Sequence, residues 1–455
     1  MVQPTDTIIA IATPPGHGGV GIVRVSGQHA LECAKKLSKK TDIQPRKVVF
    51  TEFFDEDDQI IDQGLSLFFQ SPRSFTGEDV VEFQAHGGPI ILDSIIKTCL
   101  SLNNVRLAKP GEFTERAFLN NKIDLVQAEA IADLINASTK QAAQSAIQSL
   151  QGTFSKAINE LLEKLIQLRL YVEAAIDFPE EEIDFINDGK IASALNNLKH
   201  QFNAIYASAK QGHLLQEGMK VAIVGHPNAG KSSLLNALSG RDTAIVTDIA
   251  GTTRDIIRES INIDGMPLHI IDTAGLRKTT DSIEKMGIDR AWQAMDEADV
   301  ILVLLDGSKE TLEDLEQNWP ELIQQKQHKK FCVVVNKIDL MNQTARIEKN
   351  ETYDVVFISA KLQQGLEHLK THLKSLMNYQ SDSEGLFIAR RRHIDALEKT
   401  DKHLKLADTA LNNHQAGEIV AEELRLAQNH LNEITGEFTS DDLLGKIFST
   451  FCIGK

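Results

Sequence analysis

The sequence predicts a multidomain chain that combines α+β, all-α and α/β parts, with the α/β part inserted between two helical stretches. Three observations carry this. A strand–loop–helix pattern surrounds Gly225-His226-Pro227-Asn228-Ala229-Gly230-Lys231-Ser232, which has the spacing Gly-x-x-x-x-Gly-Lys-Ser/Thr. Further short apolar strands follow it, each ending in a polar motif, as at the carboxyl edge of an open parallel sheet. On both sides of this core, apolar residues recur three and four apart, the helical period. A length of 455 residues suggests about three domains.

Residues 1–120 read as α+β. Strands are expected at Thr7–Ala12, Gly21–Val25, Lys47–Phe54 and Leu65–Gln70, with helices beginning near Gly27 and Pro89. Residues 121–216 read as the first part of a helical domain. No proline interrupts Leu125 to Ile176, and Phe154, Ile158, Leu161, Leu165, Leu168 and Val172 share one helix face, which we assign to core packing. Pro179 ends this run, and a second helix is expected from Lys190 to Leu215. Residues 217–378 form the α/β core. The small and polar run Tyr379 to Gly385 reads as a linker. Residues 379–455 resume the helical pattern, with apolar positions at Ile394, Leu397, Leu404 and Leu411. Neither helical half has a compact core alone, so the two are expected to pack together.

Composition narrows the class. The four cysteines (Cys33, Cys99, Cys332 and Cys452) are scattered, which points to reduced thiols, a cytoplasmic setting and no zinc site. No signal peptide is apparent, and apolar runs such as Val300 to Leu305 are too short to span a bilayer. The formal charge of −16 argues against a generally basic nucleic-acid binder. Contact with RNA would need a local patch or a partner protein.

In the glycine-rich loop, backbone N–H groups and a helix N-terminus would face phosphate oxygens. Lys231 would reach the terminal phosphates and Ser232 would hold Mg2+. Downstream, Asp272-Thr273-Ala274-Gly275 closes the strand Leu268–Ile271. Asn336-Lys337-Ile338-Asp339 follows Phe331–Val335, and Ser359-Ala360-Lys361 follows Val355–Ile358. This set resembles that of Ras-like GTPases. The resemblance implies guanine as the base, with Asp339 on its N1–H and amino edge, Asn336 on its keto side, and the Ala360 N–H on its oxygen.

Several other motifs fail on context. Gly16-His17-Gly18-Gly19-Val20-Gly21 has dinucleotide-site spacing, yet Ile22–Val25 reads as a strand, so a hairpin is expected. His86-Gly87-Gly88 has no accompanying Gly-x-Ser-x-Gly elbow. The C-terminal Cys452-Ile453-Gly454-Lys455 is not a prenylation signal, because Gly454 is not aliphatic. Arg390-Arg391-Arg392-His393 reads either as a phosphate contact or as a solvated helix start.

Hydrolysis poses a problem. Ras-like enzymes orient the attacking water with a glutamine after Asp-x-x-Gly, and here that position is Leu276. No arginine finger is evident; such a group contributes roughly 10³–10⁵ in rate. The segment after Leu276 offers Asp281, Glu284, Lys285 and Asp289, and a carboxylate there would act on the water directly or through a second water. Residue chemistry alone does not choose among them.

The whole chain resembles the bacterial and organellar tRNA-modification GTPases of the MnmE/TrmE family. The resemblance rests on Ser74-Phe75-Thr76-Gly77-Glu78-Asp79, Gln84-Ala85-His86-Gly87-Gly88, Gly111-Glu112-Phe113-Thr114, Arg116-Ala117-Phe118-Leu119-Asn120, Lys122-Ile123-Asp124-Leu125 and Gln127-Ala128-Glu129-Ala130-Ile131. It rests also on Asp248-Ile249-Ala250-Gly251-Thr252-Thr253-Arg254-Asp255 and on the terminal Cys-Ile-Gly-Lys. It implies an N-terminal folate-binding-like α+β domain that also dimerises, a discontinuous helical domain and an inserted Ras-like GTPase domain.

The resemblance further implies a GTP site built from Asn228, Ala229, Gly230, Lys231, Ser232, Ser233, the run Thr247, Asp248, Ile249, Ala250, Gly251, Thr252 and Thr253, then Asp272, Thr273, Ala274 and Gly275, then Asn336, Lys337, Asp339, Ser359, Ala360 and Lys361. It assigns Mg2+ to Ser232 and Thr253, K+ to Asn228, Thr247, Ile249 and Thr252, and the catalytic carboxylate to Glu284. A potassium ion beside the phosphates would replace an arginine finger as positive charge. Arg24, Glu82, Lys122 and Lys455 are implied to hold a formyl-tetrahydrofolate as one-carbon donor, and Cys452 is a candidate for the modification chemistry. His226 and Asp289 depart slightly from the family pattern.

The implied partners are GTP, tRNA, a second copy of the chain, and a flavin- and NADH-using protein, MnmG or GidA. The implied product is a C5-aminomethyl or carboxymethylaminomethyl wobble uridine. Two rival readings are a ribosome-assembly switch of the Era-like kind and a membrane-anchored signalling switch. The first would carry a Gly-x-x-Gly RNA-binding module after the core. The helical sequence after Met377 lacks it.

Overall fold

The computed structural model describes residues 6–177, 189–239, 257–272, 295–318, 330–350, 353–379, 387–414, 416–436, 441–449 and 451–454. Two compact units emerge: Met1–Ala132 with Gln428–Lys455, and Asp133–Ala427.

The first unit is built on β1 (Thr7–Ile11), β2 (Gly18–Ser26), α1 (Ala30–Ser38), β3 (Val49–Phe54), β4 (Ile60–Phe69), β5 (Val80–Gly87), α2 (Pro89–Leu100), β6 (Val105–Leu107) and α3 (Glu112–Leu119). The sheet order is β3-β4-β5-β2-β1-β6, antiparallel except for β1 and β6. Its glycine-rich hairpin runs between antiparallel β1 and β2, so no helix follows those glycines. The strands β5 and β6 add to the four expected from sequence. On one face, Ala30, Cys33 and Leu37 of α1 and Ile95 and Cys99 of α2 bury against Val23, Val25, Phe53 and Phe83. Because strand side chains alternate, Arg24 and Glu82 fall on the other face. At the end of the chain, Leu444, Ile447 and Phe448 pack with Leu125 and Ala128. Gly454, at φ +94°, lies against β1; a Cβ there would stand 2.1 Å from the Ile11 carbonyl oxygen.

The proline-free run Leu125 to Ile176 is three helices. They are α4 (Leu125–Asn136), α5 (Lys140–Leu150) and α6 (Thr153–Asp177). Thr139 caps α5 by accepting from the Ala142 N–H at 3.0 Å, and Gly152, at φ +84°, turns the chain into α6. Phe154, Ile158, Leu161, Leu165, Leu168 and Val172 are all buried. The second unit continues with α7 (Lys190–Glu217).

The two helical stretches are joined inside this unit. Phe154 stacks on Phe387 at 4.3 Å, and the Ser149 hydroxyl accepts from the Ile388 N–H at 2.9 Å. Arg390 is neither a free phosphate contact nor a solvated helix start. Its guanidinium donates to Asp133 at 2.8 Å, and the buried His393 Nδ1 accepts from its backbone N–H. Arg391, by contrast, is exposed and pairs with Asp395 at 2.9 Å, as a solvated helix start does.

The α/β core has β7 (Met219–Val224), α8 (Lys231–Ser239), β8 (Ile257–Ile263), β9 (Met266–Asp272), β10 (Val300–Asp306), α9 (Leu312–Asn318), β11 (Lys330–Asn336), α10 (Ile338–Met341), β12 (Arg346–Lys349), β13 (Asp354–Phe357) and α11 (Leu366–Leu376). The sheet order is β12-β13-β11-β10-β7-β9-β8. Its five inner strands are parallel, while β8 and β12 are antiparallel edges. Every residue of β10 is buried, as expected for a central strand covered on both faces. Beyond it lie α12 (Arg391–Thr409), α13 (Gly417–Thr435) and α14 (Asp441–Ser449). Among the described residues, no helix is long and apolar enough to cross a membrane.

Candidate functional site

After β7 the chain crosses to β9 on one side and to β10 on the other, so the carboxyl end of β7 is a topological switch point. The glycine-rich loop sits there. A Cβ on Gly225 would stand 2.3 Å from the Leu304 carbonyl oxygen, so only glycine lets the loop leave the sheet along this path. Asn228 and Gly230 adopt φ +66° and +104°. Lys231 Nζ donates to the Gly225 and His226 carbonyls at 2.6 and 3.2 Å, which holds the ammonium inside the curve of the loop. Ser232 and Ser233 are exposed on the first turn of α8, where the helix dipole favours anions. The Ser232 hydroxyl is a hard oxygen donor of the type Mg2+ takes. Asn228 is exposed and its amide oxygen suits a hard monovalent cation.

Three loops meet on the other side. Asn336, at the end of β11, is 2% exposed. Its amide donates to the Ala229 carbonyl at 2.9 Å and its oxygen accepts from the Ala360 N–H at 3.0 Å. The Ala360 N–H is thus engaged by Asn336 here. A Cβ on Gly230 would fall 2.3 Å from Asn336 Nδ2, so loop and side chain fit only as glycine and asparagine. Lys337 Nζ bridges the Asn228 carbonyl at 2.8 Å and Asp306 at 2.7 Å. Asp339 accepts from the Ser359 hydroxyl at 2.6 Å, and Lys361 is exposed.

Sequence reasoning missed Asp306. Burial pushes its carboxyl upward, but donors from Lys337 and Ser308 outweigh that and hold it below the usual carboxylate range. Its signal was its place at the carboxyl end of an unbroken apolar strand. Asp272 ends β9 in register with Ile223. Thr247, Asp248, Ile249, Ala250, Gly251, Thr252, Thr253, Thr273, Ala274, Gly275, Asp281, Glu284, Lys285 and Asp289 lie outside the described residues.

In the first unit, Arg24 and Glu82 are register partners on β2 and β5, and they pair at 2.9 Å. The Arg24 guanidinium lies 5.9 Å from the Phe75 ring centroid and 5.7 Å from that of Phe113, neither of which the sequence singled out as a contact. The donor set, a half-buried guanidinium and a carboxylate flanked by rings, fits a flat heterocycle with amino and carboxylate groups. Lys122 Nζ donates to the Pro72 carbonyl at 2.9 Å. Gly454 rests on Ile11 and Ala12, beside Ala10, the register partner of Arg24. Cys452 is exposed, and Lys455 lies outside the described residues. Behind this face Arg116, 1% exposed, binds Asp6, Glu78 and Glu112.

Comparison with known proteins extends over both units. Residues 7–122 match the family described as GTP-binding protein TrmE N-terminus, and residues 125–452 match the MnmE helical domain. A protein of Mannheimia succiniciproducens named tRNA modification GTPase MnmE is 57% identical over 451 residues, 99% of each chain. One of Shewanella denitrificans with the same name is 57% identical over 452 residues, 99% of this chain and all of its own. Among solved structures, Era of Aquifex aeolicus bound to GDP and AlF4 is 29% identical with a TM-score of 0.27, over 41% of this chain and 67% of that one. Identity at this level over nearly the full length of both chains means more than a shared nucleotide-binding domain: the chain belongs to the MnmE (TrmE) family of tRNA modification GTPases.

Proposed function

We propose that this GTPase, with a flavin-dependent partner of the MnmG (GidA) kind, modifies C5 of the wobble uridine of certain tRNAs using a one-carbon unit from a formyl-tetrahydrofolate. The observation that carries the reading is the knot of Ala229, Asn336, Lys337, Asp306 and Ala360 beside Lys231. It holds the phosphate loop and the two later motifs in one arrangement, and full-length kinship with proteins named tRNA modification GTPase supplies the substrate class. Lys231 would neutralise the phosphates, while Asn336, Asp339 and Ala360 would frame the guanine.

Ser232 and Thr253 would hold Mg2+, which spreads phosphoryl charge when bound. Asn228, Thr247, Ile249 and Thr252 would hold K+, and Glu284 would orient the attacking water. Arg24, Glu82, Lys122 and Lys455 would bind the folate, with Cys452 free for the modification step. A homodimer through the N-terminal domains, and the division 1–120, 121–216, 217–378 and 379–455, belong to the same proposal.

Nucleoside mass spectrometry of bulk tRNA tests it. Cells lacking the gene are expected to lose C5-substituted wobble uridines, and the wild-type gene, but not Glu284→Ala, restores them. Normal wobble uridines with an altered ribosomal-subunit profile would instead favour the assembly switch. GTP turnover is expected to be at least tenfold faster in KCl than in NaCl at equal ionic strength, on the order of one well-placed charge. Equal rates would remove the cation from Asn228.

A further inference from the structure

The turn after β10 is pinned from several sides. The Lys309 and Glu310 N–H groups both donate to the Asp306 carbonyl at 2.9 Å, and the Ser308 hydroxyl donates to the Asp306 carboxylate at 2.6 Å. The Gly307 N–H donates to the Asn336 carbonyl at 3.0 Å, and a Cβ on Gly307 would fall 2.5 Å from Met341 Sδ. Glu310 closes this turn, because its Oε2 accepts from the Asp306 N–H at 2.9 Å. One carboxylate oxygen is thereby fixed, and the other lies 3.4 Å from His226 Nε2.

His226 is the hub of the phosphate loop. Its carbonyl accepts from the Ala229 N–H and from Lys231 Nζ, both at 3.2 Å. Pro227 follows, and its ring fixes the next φ. Whatever holds the His226 side chain therefore sets where this carbonyl points, and with it the ammonium that would meet the phosphates. Lys337 ties a second point of the loop, the Asn228 carbonyl, to Asp306. The loop is thus tethered twice to one rigid turn, at His226 by Glu310 and at Asn228 by Lys337. Between and after these tethers stand Asn228 and Gly230, at φ +66° and +104°, conformations that persist only where the surroundings hold them.

We propose that Glu310 is a positioning residue for nucleotide binding, acting on the phosphate loop through the His226 side chain. It touches no reacting group. The inference rests on the nucleotide assignments of the proposed function.

Titration of the full chain with a fluorescent GDP analogue tests this as a double-mutant cycle. Glu310→Ala is expected to weaken binding roughly fivefold, the equivalent of one net hydrogen bond. The same change made in His226→Ala should weaken it by less than about twofold further, because the tether is already cut. Glu310→Gln keeps an oxygen for the Asp306 N–H and an amino group from which the imidazole can accept, and should recover most of the affinity. In GTP turnover the loss in Glu310→Ala should fall on KM and not on kcat, since the loop grips the phosphates before and during the reaction. A cost of Glu310→Ala as large in His226→Ala as in the wild type would overturn the proposal, because Glu310 would then act only through its own turn. A loss confined to kcat, or one in Glu310→Gln equal to that in Glu310→Ala, would overturn it as well. Failure of the wild type to bind the analogue at all would overturn the site assignments, and this role with them.

Discussion

Gly230→Ala tests whether the phosphate loop is held by Asn336. The new Cβ would stand 2.3 Å from Asn336 Nδ2, where ordinary contact begins at 3.4 Å, so one side must yield by about 1 Å. Asn336 is poorly placed to yield, because it is 2% exposed and bonded at both ends of its amide. The φ of +104° adds about 1–3 kcal/mol of backbone strain for any residue with a side chain. Breaking the bond from Asn336 to Ala229 leaves a carbonyl without its partner, about 1–3 kcal/mol more. The sum, about 2–6 kcal/mol, corresponds to a loss of GDP affinity of about 30-fold to 10⁴-fold if it falls on the binding-competent loop. Titration with a fluorescent GDP analogue measures it. Gly445→Ala is the control, since nothing lies within 4 Å of the added methyl on helix α14, and it should leave affinity unchanged. A Gly230→Ala affinity within threefold of wild type would refute the reasoning.

Two further perturbations address the supports of the sites. Arg116→Met leaves Glu78 without its cation, while Asp6 and Glu112 keep Arg106, and should cost about 3–5 kcal/mol in urea unfolding of the first unit; a cost under about 1 kcal/mol would mean that Arg106 and the Ser26 hydroxyl are enough to hold those carboxylates. Lys337→Met removes the main donor to Asp306, whose folded-state value lies below 3.8. A depressed carboxylate stabilises the fold above its unfolded value and loses that contribution as pH falls through its folded value. The melting-temperature gap between wild type and Lys337→Met should therefore be full at pH 7 and shrink below about pH 3.8; a gap that does not change with pH would assign the effect to packing.

What the sequence made legible follows from how local each determinant is. β7 appears at Met219–Val224, where the strand–loop–helix pattern puts it, because a parallel strand buried at every position but Lys220 needs only a short and almost wholly apolar run. The base-side motifs lie in contiguous runs after such strands, so spacing was enough to find them. β5 was harder. Val81, Phe83 and Ala85 alternate with Glu82, Gln84 and His86, and the glycine pair after them reads as a loop signal that obscures a strand buried on one face. Arg390 misled for a related reason. A run of three arginines looks solvated, and only the approach of Asp133, 257 positions away, consumes the first.

The same distinction separates the two sites. In the GTPase core a few backbone carbonyls and one buried asparagine link motifs that each announce themselves, so reading any one predicts the rest. The face around Arg24 is assembled differently: the guanidinium comes from β2, the carboxylate from β5, one ring from the loop at Phe75, the other from α3, and the tail from the far end of the chain. No spacing rule connects these pieces, because their proximity is a property of the sheet order β5-β2-β1 and of the close approach that Gly454 permits. Side-chain chemistry alone could nominate Arg24 and Glu82 only through resemblance, whereas the sheet brings them within 2.9 Å as direct register partners. A ligand on that face must therefore compete with, or bridge, an existing ion pair. Replacing Glu82 alone would free Arg24 for an anion, while replacing Arg24 alone would leave a half-buried carboxylate unpaired, so the two single variants should affect ligand affinity unequally.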